Sequence, residues 1–198
     1  MLTLIQFPEM YEELSEEVQQ IVGQLLHLLE IKNPKLHLHS YQVANYAVSI
    51  AAKMRLPKEE IERIRIAAML HDIGHLTVPN MILSKAPYLT QRELAAYKNH
   101  CNAGSFMLEN LPSCQEISLY IRHHHEQFDG KGYPKRLKGV NIPLGARIIA
   151  VANHYDRYIN PCTQHWTKTP EDAVKELNDK AGTAFDTEIV RAFIEALG

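Results

Sequence analysis

Cysteine is scarce in this chain of 198 residues. There are three, Cys101, Cys114 and Cys162, an odd number without CxxC spacing. A disulfide framework is therefore excluded as the organising device, and reduced thiols in a cytoplasmic protein are the simpler expectation. Long apolar runs are also missing: none approaches the roughly 20 residues of a membrane-spanning helix. The opening MLTLIQFPEMYEELSEE has no basic region and soon turns acidic. It does not read as a signal peptide, and no membrane attachment is expected. Neither charge dominates, with 21 basic against 23 acidic residues and a net charge of −2 when His is neutral. That balance gives no support to binding of a nucleic acid polymer or a membrane surface, although a local basic patch stays open. Internal repeats, low-complexity tracts and convincing strand pairs are absent as well. Hydrophobic residues make up 45% of the chain, which excludes wholesale disorder and allows a sizeable core.

What is present is helical patterning from end to end. A first helix is expected over ~9–31, with Leu25, Leu26 and Leu29 on its apolar side. Asn33-Pro34 ends it, because the residue before proline is pushed out of the helical region. A second helix runs ~36–54, and Pro57 opens a third that reaches His71 before Gly74 interrupts it. Residues 77–89 read as irregular with one short helical turn. Thr90-Gln91-Arg92-Glu93 is a capping box, so a helix starts there and continues to about Asn110. Further helices are expected over ~114–126 and ~143–159, separated by a Gly/Lys/Pro loop over ~127–142. Thr169-Pro170 reads as an N-cap followed by a first-turn proline, and Asp186 as the cap of the last helix. The expected fold class is all-α, with 1–33 as an N-terminal helical extension and 34–198 as the main domain.

Histidine is abundant: 11 residues, roughly twice ordinary usage. Several fall on apolar helix faces. His39 shares the side of Val43 and Ala47. His71 continues Ile61, Ile64 and Ala68, and His124 follows Ile117 and Ile121. Asn153 follows Ala146 and Ile149, with Asp156 next on that side. A buried imidazole or carboxylate needs a partner. Several brought together from different helices point to a shared ion held inside a bundle, and to metal-assisted hydrolysis. The bland reading, a satisfied core histidine, holds for His39 or His100 taken alone, whereas His124-His125 followed by DGKGYP favours function. His27, His37, His123, His154 and His165 are read as surface or packing residues.

His71-Asp72-Ile73-Gly74-His75, His100, and the run His123 to Pro134 (HHHEQFDGKGYP) followed by NIPLGARIIAVA resemble the HD-GYP branch of the HD phosphohydrolases. The resemblance runs from about Lys35 to the C-terminus, including Ala181 to Asp186. It implies an HD-superfamily helical bundle. It implies an enzyme, a metal-dependent phosphodiesterase that hydrolyses a cyclic dinucleotide, above all the bacterial signalling molecule cyclic di-GMP, to pGpG or GMP by a metal-activated hydroxide. Carried over by position, the metal ligands are His39, His71, Asp72, His100, His124, His125 and Asn153. Asp72 bridges two divalent ions, with Fe or Mn expected first and Zn, Co or Ni as alternatives. Asp72 and His75 are the catalytic candidates. Glu126, Asp129 and Asp156 are candidates to support ligands from behind. Asp129, Gly130, Lys131, Gly132, Tyr133, Pro134 and Arg147 form the substrate-loop set, with Gly130 and Gly132 expected to supply positive φ.

Four positions depart from the family pattern. His75 stands where the family usually has Lys, and Asn153 where it has an Asp ligand. Cys162 to His165 replaces a segment with two arginines that can contact phosphate. Lys35 replaces a Glu associated with a third metal, so two ions are expected. Two other readings therefore stay open. One is a regulatory module that uses the GYP loop to engage a GGDEF-type diguanylate cyclase. The other is a phosphohydrolase of a different nucleotide or small phosphate ester.

Overall fold

Capping residues and prolines set most helix boundaries. The computed structural model describes residues 14–85, 88–160 and 168–198. The Ser15 side chain accepts the Val18 N–H and opens α1, Glu16–Lys32. The sequence expectation for its start, residues 9–13, lies outside the described residues. Asn33 ends α1 in an extended conformation, then caps α2, Pro34–Lys53, by accepting the Leu36 N–H. Pro57 precedes α3, Lys58–Leu70. A 3₁₀ turn over Ile73–Thr77 and the single helical turn α4, Asn80–Leu83, follow. Thr90 and Glu93 form the expected reciprocal capping box at α5, Gln91–Lys98.

The helix expected to run on to about Asn110 is instead broken at Asn99. A separate short helix, α6, covers His100–Phe106. The reason is packing. No residue of α5 is buried, whereas α6 buries His100, Cys101, Gly104 and Ser105. The His100 ring donates its Nδ1–H to the Tyr97 carbonyl, competing for an acceptor that a continuing helix would use. The chain then forms α7, Gln115–His123, and a long loop. It ends with α8, Leu144–Ile159, α9, Pro170–Asp179, and α10, Thr187–Leu197. Thr169 and Asp172 cap α9 reciprocally, and Asp186 caps α10 through the Glu188 N–H.

The fold is all-α: no strand is present among the described residues, and only Ala181 and Phe185 form an isolated bridge. The helix α2 packs along α1, α3, α8 and α10, while α6 packs on α7 and on the 3₁₀ turn. Ile50, Ile64, Leu70, Ile117, Ile121, Ile148 and Phe193 are fully buried between them, each worth roughly 1.5–3 kcal/mol relative to exposure. Val18, Val22, Leu26 and Leu29 of α1 belong to that same core. Lys32, at the end of α1, also donates to the carbonyls of Leu76 (2.8 Å) and Val78 (2.9 Å). The N-terminal helix thus holds the far end of the turn that begins with Asp72. No helix of the described residues is long and apolar enough to cross a membrane.

Candidate metal centre

Helix C-termini leave their last carbonyls without amide donors. Three histidines use that deficit. His71 donates Nδ1–H to Ala68, His100 to Tyr97 and His124 to Ile121, each at 2.7 Å and each three residues back. Placing the proton on Nδ1 leaves the Nε2 lone pair facing inward, the form that binds metal. His39 is held differently. Its Nδ1 lies 2.5 Å from Asp156 Oδ2, and its Nε2 lies 3.1 Å from Asn153 Oδ1.

Asp72 lies among these rings. Its Oδ2 is 3.3 Å from His71 Nε2, while its Oδ1 is 3.3 Å from His100 Nε2, 3.5 Å from His75 Nε2 and 3.8 Å from His124 Nε2. Charge-assisted hydrogen bonds are shorter, about 2.7–2.9 Å. Atoms sharing one ion at bond lengths of about 2.0–2.2 Å are instead separated by roughly 3.0–3.5 Å. His71 Nε2 and His124 Nε2 are buried without a hydrogen bond of ordinary geometry. The donor atoms and their spacing therefore fit divalent metal. The ring of His125 stacks against Tyr133, 4.9 Å between centroids, and lies 4.1 Å from that of His124.

Burial shifts four imidazoles of the cluster. It pushes His39, His75, His124 and His125 below the usual histidine range, and for His124 and His125 the neighbouring imidazoles add to a large depression. Burial alone would raise Asp72, but the facing imidazoles of His71, His75 and His100 more than offset it and hold the carboxyl well below its ordinary value. Neutral imidazoles at His39, His124 and His125 and an ionised Asp72 are the forms in which these groups can bind a cation.

The loop set divides. Gly130 has the expected positive φ, 86°. Gly132 does not, and its reason is space: a Cβ there would lie 2.2 Å from the Gln127 nitrogen and 2.4 Å from the Glu126 Cα. Glu126 does not orient a ligand imidazole. Its oxygens accept the N–H groups of Lys135 (2.7 Å) and Leu137 (3.1 Å), so it shapes the loop. Asp129 likewise turns to Lys131, through its backbone N–H and its ammonium. Tyr133-Pro134 is a cis peptide. Arg147 pairs with Asp186 and donates to the Ile142 carbonyl, tying the loop's end to α10 rather than facing the cluster. Asp156 is the one expected supporting residue that meets a candidate ligand directly. Lys35 is exposed. Cys162 to His165 lie outside the described residues.

Two neighbours of the cluster were not read from the sequence. Cys101 Sγ lies 3.4 Å from His100 Nε2 and groups with His100, His124 and His125. Burial pushes its thiol upward, away from ionisation. Arg157 lines a cavity with His124, His125 and Asn153. Its spacing of four from Asn153 was the available signal.

Residues 13–189 match the family described as HD domain. The chain belongs to the HD domain family. This HD domain is 33% identical over 187 residues to a cyclic di-GMP phosphodiesterase of Thermotoga maritima, covering 93% of this chain and 50% of the relative. It is 31% identical over 186 residues to the cyclic di-GMP phosphodiesterase response regulator RpfG of Xanthomonas campestris, covering 92% of this chain and 49% of that protein. A 3'3'-cGAMP-specific phosphodiesterase of Vibrio cholerae is 30% identical over 188 residues, with 92% and 35% covered. The chain thus spans about half or less of the length of these relatives. Among solved structures, an HDG"Y"P protein from Bdellovibrio bacteriovorus superposes with a TM-score of 0.65 at 22% identity, over 80% of this chain and 51% of the other. The PgpH HD domain of L. monocytogenes in complex with cyclic-di-AMP gives 0.60 at 18%, over 88% and 95%. These superpositions show the HD fold.

Proposed function

We propose that this HD domain is a metal-dependent phosphodiesterase acting on a cyclic dinucleotide, with cyclic di-GMP as the first substrate to test. The observation that carries the reading is Asp72, whose two carboxylate oxygens face different imidazoles, Oδ2 toward His71 and Oδ1 toward His100 and His124. His39, His71, Asp72 and Asn153 would hold one ion, and Asp72, His100, His124 and His125 a second, with Asp72 shared. Imidazole and carboxylate donors suit Fe or Mn, and also Zn, Co or Ni. Held there, two such ions would supply Lewis-acid activation of water and polarisation of a phosphoryl oxygen. The chain's own residues do the rest. The carbonyls of Ala68, Tyr97 and Ile121 fix the inward lone pairs, Asp156 holds His39, and Tyr133 covers His125. We infer a bacterial signalling role in the cytoplasm from that substrate class.

The test is a time course of cyclic di-GMP, with 3'3'-cGAMP in parallel. The protein is purified without oxygen and loaded with Mn(II) or Fe(II), with Asp72→Ala alongside. Linear product from the wild type and a drop of at least about 10²–10³-fold in the variant are expected. No product from metal-loaded wild type would discard the reading. It would favour a regulatory module, for which the exposed outer face of the loop at Lys131, Lys135, Arg136 and Val140 would meet a GGDEF-type partner.

A further inference from the structure

The metal cluster opens into a cavity of about 200 Å³ between α8 and the segment that follows α9. His124, His125 and Asn153 form its inner wall, and Lys180, Ala184 and Phe185 line it farther along the chain. Arg157 also lines it, one helical turn beyond Asn153 on the same face of α8. Arg157 interacts with the Tyr97 hydroxyl and sits within the electrostatic reach of Asp72 and Tyr133. A guanidinium presents a planar fork of donors that matches phosphate oxygens, and its charge persists at any working pH. A cation beside metal-binding residues repels the ions they would hold. An anion that enters with those ions would offset that repulsion, beyond what Asp72 and Tyr97 already supply.

We propose that Arg157 takes a phosphoryl group of the substrate in this chain, and that the cavity from Asn153 past Arg157 to Lys180 receives the phosphoester. The proposal rests on the phosphodiesterase reading and adds the residue that recognises the phosphate. It also gives Asn153 a purpose. An Asp at 153 would stand at i, i+4 to Arg157 and pair with it. The neutral amide keeps its oxygen beside His39 Nε2 without adding a carboxylate next to the guanidinium.

The experiment measures binding of inorganic phosphate to Mn(II)-loaded protein by titration calorimetry, with metal content checked in every sample. Arg157→Gln is expected to weaken phosphate about 10- to 100-fold, the loss of one charge-assisted contact, with metal content unchanged. Arg157→Lys should recover part of that loss. Phosphate affinity within twofold of wild type in Arg157→Gln would overturn the proposal. It would make Arg157 a structural countercharge for Asp72. Should Arg157→Gln fail to fold or to keep metal, Asn153→Asp reads the same site from the other side. Weaker phosphate binding with equal or higher metal content supports the assignment, and equal or tighter phosphate binding overturns it. Because phosphate binding needs no turnover, a protein that binds it through Arg157 yet leaves cyclic di-GMP intact would lose only its substrate assignment.

Discussion

His71 and His124 are held by the helices they end and His100 by the helix just before it, whereas His39 is held by a carboxylate 117 positions away in the chain. The three local imidazoles each donate to a backbone carbonyl three residues back near a helix C-terminus, so their tautomer is fixed by helix geometry. No side-chain substitution elsewhere can remove those carbonyls. The fourth depends on Asp156, and through it on how α8 lies against α2. One half of the centre is therefore secured by local backbone and the other by tertiary packing.

The sharpest way to break that comparison attacks packing on the local side. Gly74 lies in the 3₁₀ turn after Asp72, where a Cβ would fall 1.9 Å from the His100 carbonyl oxygen and 2.7 Å from the Gly104 nitrogen. Backbone cannot move aside as a flexible side chain can. Gly74→Ala should cost at least about 3 kcal/mol, the upper range for overpacking, and should separate His100 from Asp72. Chemical denaturation and metal content check both. A variant as stable as wild type and fully loaded would mean that α6 is not seated on the 3₁₀ turn as described.

These contacts also explain what could be read beforehand. Helical phase placed His39, His71, His124 and Asn153 on buried sides, because a period of 3.6 is a local property. The capping box at Thr90 and the caps at Thr169 and Asp186 were legible for the same reason. Phase says nothing about which carboxylate meets which imidazole. Glu126 therefore read as support for a ligand, although it binds the loop backbone at Lys135 and Leu137. Gly132 read as a positive-φ residue, but its constraint is the approach of Glu126 and Gln127, a contact within the folded loop. The break at Asn99 follows from burial of α6, which no propensity around Lys98 announces. Arg157 was overlooked because attention stopped at Asp156, although the rule that placed Asn153 also reaches it.

On the tertiary side the expected effect is smaller and selective. Asp156→Asn removes the charge beside His39 and leaves the three helix-held imidazoles untouched. Metal affinity of one site should fall about 10- to 100-fold, the usual cost of losing a partner behind a ligand. The other site should stay within a few-fold. Calorimetric titration with Mn(II) would then show two unequal steps. Equal weakening of both sites would mean that Asp72 couples them so tightly that the distinction between the halves has no energetic content.

The smallest effect concerns the protein without metal. His39, His75, His123, His124, His125 and His154 are all held below 6.5 when folded, chiefly by burial, with His154 at about 4. Between those folded values and 6.5 the unfolded chain binds more protons, so stability rises with pH there and is lost as pH falls through 6.5. Together the six would remove at most about 2 kcal/mol between pH 7.5 and 6.5. His75, His123 and His154 lie outside the candidate ligand set, so their share should remain when metal is added. The candidate ligands among the six, His39, His124 and His125, should show the difference at acid pH, where protons reach the folded imidazoles and compete with Mn(II) for the same nitrogens. Thermal unfolding at several pH values, with and without Mn(II), separates the two groups. If the stabilisation by Mn(II) does not fall as the pH drops, those three imidazoles are a neutral core rather than a coordination shell.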